Sequence, residues 1–413
     1  MAEQIELQDT RQVERMKQDL IQTLFNRNVN RHHLSEYKGY FDTFNEQTQY
    51  LNDYRVFKEL RVVLEWEQLA TIALIAVPQM CRQPDARQEW ILDHLRRNIP
   101  EDSEGLRLLV GDTETQKDAL SYSLDSVIRV WLMVNPAPIS DSRQRTQGWR
   151  GERRLCDFVH GLFYPGRPAP RHPTQQAQGY DSELLAEFSA ENTQIQSGLT
   201  HPLTAANMKK LTNININWVS LLDNHLEFDV DTRHLSIFPH NRWLIDAASW
   251  VRSWRDEQAS LNETPDAVEN PGQQDNYPNP QLCPFPIPLE VIEETIRSLD
   301  LLFPRFNSPT NRFLEKYNND LYLFRLVSHD IDQDRASRKV RLREFTFYHD
   351  RLIEVAHEFI TPPKDWNTIF RDYRNPIQYW TFWIGLVIFI ATVISLGLAA
   401  AQVYYAQHPV TSG

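Results

Sequence analysis

The sequence predicts a mainly α-helical protein with a small antiparallel β hairpin element and a single C-terminal transmembrane helix. Three observations predict it. The 413 residues carry 98 formal charges, 55 acidic and 43 basic, yet none follows Arg374, so the last 39 residues are a different material from the rest. Elsewhere the apolar side chains recur mostly at helical spacing, as the core faces of amphipathic helices do. One stretch, His225-Leu226-Glu227-Phe228-Asp229-Val230-Asp231, instead alternates polar and apolar residues, which is the period of a strand.

Residues 1–165 form the first helical region. Phe57, Leu60, Val63, Leu64, Leu69, Ile72 and Ile75 keep rough helical spacing. The nine-residue run Leu69–Val77, preceded by Glu65 and Glu67 and followed by Pro78, is too short for a bilayer and reads as a buried helix. Leu120, Leu124, Val127, Val130, Trp131 and Val134 make another stripe, ended by Asn135-Pro136. Leu155, Phe158, Val159 and Leu162 make a shorter one.

Residues 166–180, rich in Pro, Gln, Arg and Gly, read as a loop. An α+β region follows over 181–255. Thr204 is placed to cap a helix start. Ile214, Ile216 and Val219, the alternating 225–231 stretch, and Leu235 with Ile237 supply the antiparallel β element. Trp243, Ala247, Trp250, Val251 and Trp254 then share one helical face, a spacing more typical of core anchors than of a cofactor site. Residues 256–288, with five prolines between Pro265 and Pro284, have the composition of an acidic linker expected to be partly disordered. A second helical region spans 289–372, opening on Leu289-Glu290-Val291-Ile292-Glu293-Glu294.

The transmembrane segment is read over 379–401. Its 23 residues hold 18 apolar side chains and no charge, and as a helix they reach about 34 Å, enough for a hydrocarbon core of about 30 Å. Tyr379, Trp380 and Trp383 mark one interface, and Tyr404 and Tyr405 the other. Lys364, Arg371 and Arg374 flank its N-terminal side, whereas residues 402–413 carry no Lys or Arg. The positive-inside rule then puts the N-terminal part in the cytosol. With no apolar run at Met1–Glu6 and a short tail at 402–413, a tail-anchored arrangement in the endoplasmic reticulum or a downstream membrane is expected. Ala391, Ser395 and Ala399 recur every fourth residue and offer a stripe for self-association.

Several function classes are disfavoured. A net charge of −12 without a long basic run argues against nucleic acid as partner. Only 13 glycines occur. Gly161-Leu162-Phe163-Tyr164-Pro165-Gly166-Arg167-Pro168 has the glycine spacing of a phosphate loop but lacks its Lys and Ser/Thr. Neither a dinucleotide fingerprint nor a nucleophile elbow is present. Cys81, Cys156 and Cys283 are too few and too far apart for a disulfide framework or a zinc pair.

The candidate metal ligands are His225, Glu227, Asp229 and His234, which alternation would put on the polar face and turn of the hairpin. Two imidazoles and two carboxylates suit zinc or a non-haem metal if they converge, although a solvated strand face produces the same pattern. The cluster Arg335, Arg338, Lys339, Arg341 and Arg343 suits anionic lipid headgroups, diluted by Asp332, Asp334 and Glu344. The sequon Asn262-Glu263-Thr264 is unused if the N-terminal part is cytosolic.

The blocks Thr204-Ala205-Ala206-Asn207, Ile216-Asn217-Trp218, Leu221-Leu222-Asp223-Asn224-His225-Leu226 and Leu235-Ser236-Ile237-Phe238 resemble a recurrent pattern in a family of fungal proteins. Leu289 to Pro304 and Tyr379-Trp380-Thr381-Phe382-Trp383 resemble it too. The likeness covers residues 200–405 discontinuously. It implies a C-terminally membrane-anchored fungal protein without established activity, and it supplies no catalytic residues. It also fits His225 to a structural signature as readily as to a ligand set.

The expected function is therefore that of a non-enzymatic, membrane-anchored adaptor, with the lipid bilayer and cytosolic proteins as partners and no cofactor. A membrane-tethered metal-dependent hydrolase using 225–234 is the alternative from another class. A signalling or self/non-self response component is the third.

Overall fold

Helices in the N-terminal region form where the apolar stripes place them. In the computed structural model, which describes residues 2–83, 85–101, 103–136, 149, 153–164, 202–262, 285–304, 307–317, 342, 345–361 and 376–407, the first helices are α1 (Ala2–Phe25), a 3-10 turn (Arg31–Tyr37), α2 (Lys38–Asp53) and α3 (Arg55–Leu60). They continue through α4 (Trp66–Arg82), α5 (Gln88–Asn98), α6 (Glu104–Arg107), α7 (Glu114–Leu132) and α8 (Leu155–Phe163). Capping boxes start two of them. Glu65 with Gln68 opens α4, and Thr113 with Gln116 opens α7, each satisfying backbone donors left free at a helix N-terminus.

One expectation here is corrected. The stripe from Phe57 to Ile75 is not continuous: Arg61 takes a left-handed conformation with φ 55°, the chain turns, and Val63 is 74% exposed. The Leu69–Val77 run lies in a buried helix, as expected, and that helix continues through Pro78 to Arg82. Proline there removes one backbone hydrogen bond. Burial of Leu69, Ile72, Ala73, Ala76, Val77 and Met80 against α1, α5 and α7 opposes that loss.

After α9 (Ala205–Asn207), capped by the Thr204 side chain, and a π turn over Met208–Thr212, three short strands form one sheet. They are β1 (Asn215–Trp218), β2 (Phe228–Asp229) and β3 (His234–Ile237), in the order β1-β3-β2. The β2–β3 hairpin is antiparallel as expected, with Phe228 opposite Leu235 and Asp229 opposite His234. The upstream strand is not: β1 runs parallel to β3, with Asn215 opposite His234 and Trp218 opposite Ile237. The small sheet is therefore mixed.

The chain returns to helix as α10 (Asn241–Asn262), α11 (Leu289–Leu302), α12 (Ser308–Tyr317) and α13 (His349–Ile360), and ends in α14 (Pro376–Gln407). Trp243, Ala247 and Val251 on α10 are buried. Indole N–H groups tie the layers: Trp243 donates to the Trp131 carbonyl at 3.0 Å, and Trp131 to that of Leu24 at 3.3 Å.

The 256–288 linker is shorter at both ends than its composition suggests. Helix α10 continues to Asn262. Phe285, 1% exposed, packs among Trp131, Trp243 and Trp250 with ring centroids 5.6–6.0 Å apart. Residues 289–302 pack along α10, with Arg252–Glu293 and Arg255–Glu290 pairs at 2.8 and 3.0 Å, and share its apolar cluster. The second helical region thus adds to the same core. The 166–180 loop, Cys283, the basic cluster Arg335–Arg343, and Lys364, Arg371 and Arg374 lie outside the described residues.

Candidate functional site

Two places carry functional interest, the C-terminal helix and the junction of the hairpin with α11 and α13. Helix α14 starts on Pro376, a residue whose fixed φ and missing N–H suit a first helical position. Over Tyr379–Tyr404 it is long and apolar enough to cross a membrane, and its most apolar stretch has no buried residue. Val387, Phe389 and Leu396 are 63%, 65% and 72% exposed. Ala391, Ser395 and Ala399 are exposed on it as well. The arrangement is compatible with single-pass membrane anchoring.

His225 does not share a face with the other hairpin candidates. Strict alternation from His225 requires extended backbone, but Leu226 is left-handed with φ 61°, and the chain turns there. His225 consequently points inward at 0% exposure, whereas Glu227, Asp229 and His234 are exposed. Asp229 and His234 are cross-strand neighbours. The Asp229 carboxylate is occupied by the turn: it accepts from the backbone N–H of Asp231 and Thr232 at 2.9 and 3.2 Å and from the Thr232 hydroxyl at 2.7 Å. Those bonds hold its pKa below the usual carboxylate range, the Thr232 hydroxyl first. Among the described residues no group of three His, Cys, Asp or Glu side chains is placed to hold a metal ion.

His225 instead centres a buried polar network that joins three elements. Its Nδ1 accepts from the Phe238 N–H at 3.1 Å, so its Nε2 carries the proton and donates to Ser298 Oγ at 2.6 Å. Ser298 in turn donates to the Thr295 carbonyl at 2.7 Å. Burial pushes the imidazole down to about 3, with the Arg351 charge adding to the effect. Arg351 donates to the backbone carbonyls of Asp223, at 2.8 Å, and of His225. Glu294, 2% exposed, caps α13 by accepting from the N–H groups of Thr346, Phe347 and Tyr348 at 2.8, 2.8 and 3.0 Å. The Tyr348 ring meets His225 edge-on at 5.1 Å.

A serine beside a histidine invites comparison with a nucleophile–base pair, and the polarity decides against it. A general base must accept the hydroxyl proton. Here the imidazole donates to Ser298, its other nitrogen is held by a backbone N–H rather than a carboxylate, and both side chains are fully buried. The network locks the hairpin loop onto α11 and α13.

Asp223 lies beside it. Burial raises its carboxyl to about 6, against the lowering effect of backbone N–H groups and Arg351. A second lock joins α10 to the N-terminal helices: Asp246, fully buried in its side chain, is contacted by Arg27, Arg242 and the Tyr37 hydroxyl, and Glu36 pairs with Arg242 at 3.3 Å.

Sequence reasoning missed Glu294, Ser298, Tyr348 and Arg351. A signal for one of them, Ser298, exists. Thr295 and Ser298 fall on the stripe defined by Val291, Ile292, Leu299 and Leu302, where a polar residue needs a buried partner.

On the outer side of this junction lies an open cleft of about 430 Å³. Phe228 and Val230 of the hairpin form one wall. His349, Asp350, Ile353, Glu354, His357 and Glu358 of α13 form the other. Arg233 pairs with Glu358 at 2.9 Å beside it.

Comparison of the chain with protein-family models, curated proteins and solved structures returns no match.

Proposed function

We propose that the protein is a single-pass membrane-anchored adaptor whose helical part stays on the cytosolic side and binds other proteins. One observation carries this reading: the long apolar helix α14 exposes its side chains instead of packing them. Each large apolar side chain left in water costs about 1.5–3 kcal/mol relative to burial, so a bilayer is the solvent such a helix favours. Lys364, Arg371 and Arg374 on its N-terminal side support the cytosolic orientation, and the uncharged segment 402–413 favours the endoplasmic reticulum or a downstream membrane. A binding rather than catalytic role is supported by the inward-facing, proton-donating His225, which stands apart from the exposed Glu227, Asp229 and His234.

The test uses the full chain with Val387→Arg and Ile388→Arg together. Each arginine near the centre of the span costs about 2.5–3.5 kcal/mol of insertion. Wild type is expected to stay with membranes through alkaline carbonate extraction, and the variant to be released. Release of the wild-type chain would overturn anchoring. Glycan on Asn262 would invert the orientation.

A further inference from the structure

We infer that the cleft between the β2–β3 hairpin and α13 docks a basic, apolar-flanked segment of a partner protein. This deepens the adaptor reading and rests on it. Asp350, Ile353, Glu354 and His357 follow one another at spacings of three, four and seven residues and so share one face of α13. Asp350 is 92% exposed in its side chain, and Glu354 and His357 are also exposed. Across the cleft Val230 is 49% exposed above the nearly buried Phe228. The result is an apolar floor with a carboxylate rim.

Charge complementarity selects the occupant. Among the described residues the lining contains three carboxylates and neither Lys nor Arg. Glu358 already has Arg233 at 2.9 Å, whereas Glu354 has no cationic partner among the described residues. Among the described residues Asp350 meets the His349 ring, at 3.1 Å, and no Lys or Arg. A lysine or arginine side chain fits this rim, its alkyl stem or an apolar neighbour fits Val230 and Ile353, and a cleft of about 430 Å³ accommodates one or two such side chains. A metal ion is a poorer occupant, because these side chains do not form a group of three able to hold one. An anionic lipid surface is poorer still, since the rim repels it.

The experiment places the full chain in zwitterionic phosphatidylcholine nanodiscs and titrates a fluorescein-labelled Leu-Arg-Leu-Arg peptide, with Leu-Glu-Leu-Glu as control. Binding of the basic peptide alone is expected. Asp350→Asn with Glu354→Gln should weaken it about tenfold. Asp42→Asn with Glu46→Gln, which removes the same charge from the exposed side of α2, should change it less than about twofold. No binding by wild type, or equal loss in the two double variants, overturns the docking site. Nanodisc incorporation reads the anchor separately: a chain that incorporates yet ignores the peptide loses only the docking site.

Discussion

Helices α4 and α14 are built from similar residues and have opposite fates. Helix α4 carries the apolar run Leu69–Val77 and buries Leu69, Ile72, Ala73, Ala76 and Val77 at 0–1% exposure. Helix α14 carries Ile, Leu, Val and Phe in a longer run and buries none of its most apolar stretch. Length and flanking charge separate them. Glu65 and Glu67 at one end and Arg82 at the other make α4 a helix with polar ends that suit the surface of a soluble core. No charge occurs anywhere along α14, and no packed face is distinguished from a solvent face. One helix is stabilised by neighbours, and the other exposes its apolar side chains and is long and apolar enough to cross a membrane.

The largest effect expected from this contrast comes from one substitution made in each helix. Ile72→Ala should cost about 2–5 kcal/mol of unfolding free energy, because Ile72 is fully buried. Ile388→Ala, at 61% exposure, should stay within about 0.5 kcal/mol. Chemical denaturation of the full chain in detergent micelles measures both, and equal losses would break the contrast.

Acid should sharpen it next. His225 and His240 are buried, and desolvation pushes them down to about 3 and about 4. The folded state therefore binds fewer protons than the unfolded one, and stability falls as pH drops through the unfolded value of about 6.5. At pH 5 the two together destabilise the fold by about 4 kcal/mol. Asp223 acts in the opposite sense: its raised pKa, about 6, favours the folded form as pH falls through 6, and offsets about 1 kcal/mol at pH 5. Melting between pH 7.5 and 5 should shift down by about 5–10 °C. Helix α14 contains no Asp, Glu, His, Lys or Arg, so membrane retention should be unchanged over the same range. A melting temperature that does not fall would refute the buried, neutral imidazoles.

The smallest effect concerns the turn that starts α4 on its own axis. Arg61 is exposed with φ 55°. Arg61→Gly removes the Cβ strain of a left-handed residue and should stabilise by about 0.5–1 kcal/mol. A loss of stability would show that Arg61 makes a contact worth more than its strain.

Much of this architecture was legible because its signals are local. Thr204 capping a helix start, the Leu120–Trp131 stripe and the Trp243–Val251 face all follow from residue type and spacing. The uncharged C-terminal run is of the same kind. What was not legible depends on a single backbone angle or a distant partner. Alternation over 225–231 implied that His225, Glu227 and Asp229 share a face, and the left-handed Leu226 separates them. The parallel pairing of β1 with β3 joins residues that the local pattern cannot relate. Phe285 belonged by composition to a linker, yet three tryptophans from α7 and α10 hold it in the core. Nothing local marks Glu294 off from Glu290 and Glu293; its role comes from the distant N–H groups of 346–348 that it accepts from.

By itself, then, the order of residues determined where most helices form, where a hairpin forms and which segment is long and apolar enough to cross a membrane, since each depends on neighbours within a few turns. Only the tertiary structure decided that His225 is buried and neutral, that Ser298 receives its proton rather than giving one up, and that an acidic face of α13 meets an apolar hairpin wall. Those outcomes rest on desolvation and hydrogen-bond polarity, which arise only when segments far apart in the chain come into contact.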